Sequence, residues 1–147
     1  MSGLQTAIGR HPIKGECISV HPAFYSPEVQ YGYTYAKDAY FEEVKYTDKD
    51  HNICITIGND VWIGKGVVIT DGVTVGDGAV IGACSLVLSD VEPYAIYAGV
   101  PAKKVGERFD ADTVGKLLAL RWWDKGEGWI AEHAEEFRNP GEFIRRM

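Results

Sequence analysis

Between Ile57 and Val91 a branched apolar residue returns at every sixth position: Ile57, Ile63, Ile69, Val75, Ile81 and Val87. A second slot, four residues further on, holds Val61, Val67, Val73, Ala79, Ser85 and Val91, all small or β-branched and none larger than valine. Gly58, Gly64, Gly76 and Gly82 follow the first slot. A period of six fits neither the 3.6 of a helix nor the 2 of a long strand. It fits a parallel β-helix of short strands and turns, with the first-slot side chain directed into a narrow core. Asn59-Asp60, Asp71-Gly72 and Asp77-Gly78 suit the corners, where positive φ is needed. Asp-Gly also marks hairpin turns, but a series of hairpins would not hold a six-residue phase over six hexads.

Outside that block the pattern changes twice. Ile8-Gly9, Ile13 and Ile18 read as a degraded echo of the repeat, and the period then disappears from His21 to about Asn52. Phe24, Tyr25, Tyr31, Tyr33, Tyr35, Tyr40, Phe41 and Tyr46 fall in this stretch, which predicts an ordered excursion that packs on a neighbour or lines a pocket. After Val91 the repeat relaxes and ends at Ala98-Gly99-Val100-Pro101-Ala102-Lys103-Lys104. Helical spacing follows. Asp110 is placed to cap a helix with Val114, Leu117, Leu118 and Arg121 on one stripe, Trp129 to Phe137 suggest a second, and Phe143-Ile144 a third piece. These helices are expected to close the open end of the solenoid, with Trp122-Trp123 as packing residues. The expected division is a β-helical unit over 1–107, with its excursion at about 22–53, and a helical extension over 108–147.

Composition narrows the function classes. The net charge of −6 argues against a nucleic-acid partner, which needs a basic surface. No apolar run approaches the length of a membrane span and no leader pattern opens the chain, so a cytoplasmic protein is expected. Cys17, Cys54 and Cys84 are widely spaced and read as reduced thiols, Cys84 as a small packing residue of the repeat. The glycines around Lys65 and Asp77 lack the third glycine of a dinucleotide fingerprint. His11, His21 and His51 would have to converge to form a zinc site of the γ-carbonic-anhydrase kind, a remote alternative without close ligand spacing; no metal is expected.

Several motifs together resemble those of the hexapeptide-repeat acyltransferases, nearest the branch of xenobiotic (chloramphenicol-type) and sugar O-acetyltransferases. They are ITIGNDVWIG over Ile55 to Gly64, VTVGDG over Val73 to Gly78, AGVPAK over Ala98 to Lys103, and Arg108-Phe109 followed by Leu117-Leu118 and Trp122-Trp123-Asp124. The resemblance implies a left-handed β-helix, a homotrimer, and acetyl-CoA held between adjacent subunits. It implies a histidine base just before the excursion loop. Gly9-Arg10-His11-Pro12 fits that place, with His21 in Ser19-Val20-His21-Pro22 as the alternative. By family position Trp62 lies near the thioester, Lys65, Ala83 and Leu88 lie along the pantetheine arm, and Lys103 and Lys104 meet the cofactor's phosphates.

Histidine suits this role because its ordinary pKa lies near 6.5. Tyr25, Tyr31, Tyr33 and Tyr35 are the candidate acceptor-binding residues. Their rings and hydroxyls suit a sugar or an aromatic xenobiotic, and the same base would serve an amine. The family normally has further coils upstream of the histidine, and this chain begins almost on it. A naturally short form and a truncated product are both consistent with that, and a non-catalytic trimeric scaffold is the second reading of function.

Overall fold

The computed structural model describes residues 5–7 and 9–146, and it turns the six-residue period into short strands. In chain order these are β1 (Gln5–Ala7), β2 (Ile55–Ile57), β3 (Trp62–Ile63), β4 (Val68–Thr70), β5 (Val73–Val75), β6 (Val80–Ile81), β7 (Leu86–Val87), β8 (Ala95–Gly99) and β9 (Ala102–Glu107). Strands of the repeat pair in parallel with the strand three hexads along: Ile55 lies opposite Val73, Trp62 opposite Val80 and Val68 opposite Leu86. Three ladders result, β1-β4-β7, β2-β5 and β3-β6-β8-β9, parallel throughout except for the final β8-β9 pair. Three hexads therefore make one coil with three faces.

The side chains explain the winding. First-slot Ile69, Val75, Ile81 and Val87 and second-slot Val67, Val73, Ala79 and Ser85 are all buried in one core. The Ser85 hydroxyl is satisfied there, donating to the Gly82 carbonyl at 2.7 Å and accepting from the Gly99 amide at 3.2 Å. Corners fall at every sixth residue, and Asp60, Gly66, Gly72, Gly78 and Cys84 all have positive φ. Cys84 is thus an exposed corner residue rather than a packing residue of the core. Gly64 serves a different need: a Cβ there would lie 2.5 Å from the Ala83 amide nitrogen of the next coil.

Two expectations of register change. Val91 pairs with Val75 and so occupies a first slot, because the corner after Val87 is two residues shorter than the others. Ile13 and Ile18 are exposed and hold no core slot, while Ile8 lies outside the described residues. Positive φ at Gly9 and Gly15 and the intervening Pro12 take the chain out of strand geometry, so the strand-free stretch runs from Gly9 to Cys54. Within it a short 3₁₀ turn spans Pro22–Phe24. The Ala23 carbonyl accepts from the Tyr35 and Ala36 amides, and the Tyr25 carbonyl from the Tyr40 amide, so the excursion is folded on itself. The Lys45 amide donates to buried Asp71 at 2.7 Å and ties the return leg to the coils.

At the exit, β8 and β9 form an antiparallel hairpin, so β9 and not a helix lines the downstream edge of that sheet. Three helices follow: α1 (Ala111–Leu120), α2 (Glu127–His133) and α3 (Pro140–Arg146). Asp110 caps α1 by accepting from the Thr113 amide, and Arg121 ends it in the left-handed region instead of continuing its stripe. Leu117, Phe143 and Ile144 pack with Tyr94 in a second core. The Arg108 guanidinium donates to Asp60 at 3.0 Å and to the Gly78 carbonyl at 2.7 Å, and lies 5.3 Å from the Tyr94 ring centroid. The helices therefore meet the solenoid along its Asp60-Gly78-Tyr94 corner. Trp122 packs edge-on against Phe137 and Trp123, as packing residues should. No helix among the described residues is long and apolar enough to cross a membrane.

Candidate active site

Where the excursion leaves the coils, a cavity of about 490 Å³ opens between them. His11, Arg10 and Phe41 line it from the excursion, and Thr70, Asp71 and Leu88 from the coils. Thr70 and Leu88 stand three hexads apart, at the end of the β4-β7 ladder. The fold thus joins His11 to Leu88 across 77 positions of sequence.

The two candidate histidines differ in chemistry. The His11 Nδ1 lies 2.6 Å from the Tyr25 hydroxyl, and the Tyr25 side chain is 0% exposed. Burial pushes the Tyr25 phenol above its ordinary value, with the nearby Glu43 carboxylate adding to the effect, so the hydroxyl is protonated at neutral pH. His21 instead accepts the Ala23 amide hydrogen at Nδ1, 3.2 Å away, as the cap of the 3₁₀ turn. A neutral His21 so engaged carries its proton on Nε2 and has no free basic nitrogen there. His51 is exposed and bonded to Asp48 at 2.8 Å, holding that carboxyl below its usual range. Among the described residues no three His, Cys, Asp or Glu side chains converge as metal ligands, so the zinc alternative finds no donor set.

Tyr25 is the sequence-predicted acceptor residue that the structure moves furthest. Its buried ring has no face for a ligand to stack on. Tyr31, Tyr33 and Tyr35 are exposed and cluster with His21, Tyr33 stacking on the imidazole at 5.9 Å and meeting Tyr35 at 5.6 Å. The residues expected to hold the cofactor spread along the coils. Lys65 and Ala83 stand on adjacent coils just before the β4-β7 ladder, Leu88 just after it, and Trp62 is exposed on β3. Lys103 and Lys104 lie on β9. Lys104 is committed to Glu92 at 2.6 Å and Glu107 at 2.7 Å, which hold its ammonium well above the ordinary lysine range, Glu107 contributing most. Lys103 is exposed and has no carboxylate within ion-pair distance among the described residues. Arg10, Thr70 and Asp71 also line the cavity, although none was expected as a site residue; Arg10 adjoins His11 in the chain, and the three-dimensional return of the excursion brings Thr70 and Asp71 to it.

Residues 54–89 match the family described as bacterial transferase hexapeptide (six repeats). The chloramphenicol acetyltransferase of Agrobacterium fabrum is 44% identical over 130 residues, covering 84% of this chain and 53% of that protein. The chain therefore carries the hexapeptide repeat of bacterial transferases and is similar in sequence to acetyltransferases. This hexapeptide-repeat chain spans about half the length of that relative. A probable macrolide acetyltransferase of Lysinibacillus sphaericus is 54% identical over 68 residues, 46% of this chain and 38% of that one. Among solved structures, a hexapeptide-repeat acetyltransferase of Vibrio cholerae complexed with acetyl-CoA gives a TM-score of 0.47 at 28% identity, over 73% of this chain and 44% of that chain. A galactoside acetyltransferase in complex with coenzyme A gives 0.48 at 32% identity, over 75% and 42%.

Proposed function

We propose that this chain provides the catalytic coils of an acetyl-CoA-dependent O-acetyltransferase that acts on a hydroxyl of a sugar or small xenobiotic. The observation that carries the reading is His11, lining the cavity beside Leu88 with its Nδ1 engaged by Tyr25. The coils are read as a left-handed β-helix and the working unit as a cytoplasmic homotrimer, in keeping with the repeat family matched. With Nδ1 engaged, Nε2 is the nitrogen left for chemistry.

Acetyl-CoA, as co-substrate, supplies the acetyl group on a thioester. His11 takes the acceptor's hydroxyl proton at Nε2 as the acceptor oxygen bonds to the acetyl carbon and the carbon–sulfur bond breaks. The imidazolium then returns that proton to the departing sulfur, so the enzyme ends unchanged. Leu88, Ala83, Lys65 and Trp62 follow the coil surface and suit an extended pantetheine arm, while Lys103 is the lysine free to meet phosphate. Tyr31, Tyr33 and Tyr35 offer exposed rings to the acceptor.

The experiment is coenzyme A release with acetyl-CoA and a panel of sugars, chloramphenicol-like alcohols and amines, together with melting in the presence of acetyl-CoA. A ligand that binds only the native state raises the melting temperature. Turnover on a hydroxyl acceptor with such a rise supports the reading. No turnover and no rise would contradict it and favour the non-catalytic scaffold.

A further inference from the structure

We propose that Tyr25 is the positioning residue of this site, fixing which nitrogen of His11 carries the proton. The proposal rests on the reading of His11 as base and adds how that base is set. A neutral imidazole exists in two tautomers, and only the form protonated at Nδ1 leaves Nε2 able to take a proton. The Tyr25 hydroxyl lies 2.6 Å from Nδ1 and would select that form by accepting the Nδ1 hydrogen.

The hydroxyl is held in place from several sides. The Tyr25 ring is fully buried and packs edge-on against Phe41, with centroids 5.8 Å apart, and against the His11 ring at 6.2 Å. Its amide donates to the Pro22 carbonyl at 3.1 Å, and its own carbonyl accepts from the Tyr40 amide at 2.9 Å. A side chain fixed at both backbone groups and closed in by rings keeps its oxygen at one point. The partner is also neutral, because burial and Glu43 both disfavour the phenolate. It therefore orients the imidazole without placing a negative charge beside it, unlike a carboxylate partner. His21 marks the contrast, since its Nδ1 accepts a backbone hydrogen and fixes the opposite tautomer.

The test joins nitrogen-15 NMR of histidine-labelled full chain to kinetics of wild type and Tyr25→Phe, which deletes only the hydroxyl. The chain has four histidines, and His11→Gln assigns the relevant signal. The wild-type His11 ring should be in the Nδ1-protonated form, and Tyr25→Phe should shift it toward the Nε2-protonated form. With the shift, kcat should fall about 10- to 100-fold while KM for acetyl-CoA stays constant. An Nε2-protonated His11 in the wild type overturns the proposal, even if the variant does not fold. An unchanged tautomer and kcat in Tyr25→Phe overturns it as well. If His11→Ala leaves transfer intact, the reading of His11 as base fails instead, and the wild-type spectrum still decides the tautomer separately.

Discussion

Removing the His11 imidazole should separate chemistry from binding. His11→Ala is expected to lower acetyl transfer by about 10²- to 10⁴-fold while acetyl-CoA still raises the melting temperature, because the side chain moves a proton and holds no cofactor. A larger loss from His21→Ala than from His11→Ala would contradict the assignment. The lysines should separate as well. Lys103→Ala is expected to raise KM for acetyl-CoA about tenfold, the worth of one charge-assisted hydrogen bond, and Lys104→Ala to change it less because that ammonium already serves Glu107 and Glu92. Equal effects of the two substitutions would contradict this. The sequence pointed to His11 through its Gly9-Arg10-His11-Pro12 setting and favoured it over His21 through the family's pattern, and the structure puts His11 in the cavity. The contact of Tyr25 with His11 was not legible, because its type suggests a ring face for ligands whereas its hydroxyl reaches back fourteen residues to Nδ1.

At the scale of single elements, two glycines should respond in opposite directions. Gly64→Ala drives a Cβ onto the backbone of Ala83 and is expected to destabilise the coils by about 1–3 kcal/mol. Gly115→Ala, in the exposed middle of α1 with nothing within 4 Å, should stabilise by about 0.5–1 kcal/mol. Thermal melts of both variants check the pair, and the same sign for both would contradict it. The α1 cap adds a pH dependence. The Thr113 amide, followed by the Thr113 hydroxyl, holds the Asp110 carboxyl below its ordinary range, so its contribution is present above that range and is lost as pH falls through the lowered value. The melting gap between wild type and Asp110→Ala should hold steady above about pH 5 and close below about pH 4. The coils were legible because the six-residue period is itself the packing rule, as burial of Ile69, Val75, Ile81 and Val87 shows. Periodicity could not reveal the short corner after Val87, which moves Val91 into a first slot, because that shift is a pairing between coils. Ile13 and Ile18 matched the period in type alone, and Gly9 and Gly15 had already turned the backbone away.

For the whole molecule, the excursion carries Ile18, Phe24, Tyr31, Tyr35 and Tyr40 at its surface, more apolar exposure than the coils show. Such a face suits burial between copies, and light scattering should give three times the chain's mass at micromolar concentration. A stable monomer would contradict the trimeric site. That the chain entering the helices is anchored on the Asp60-Gly78-Tyr94 corner was beyond the sequence because Arg108 joins residues of three coils. The measurement that bears most directly on function is coenzyme A release from acetyl-CoA in the presence of hydroxyl acceptors, comparing wild type with His11→Ala. The expected result is acceptor-dependent release by the wild type that falls at least about 100-fold in the variant. Equal rates in the two proteins would contradict the account.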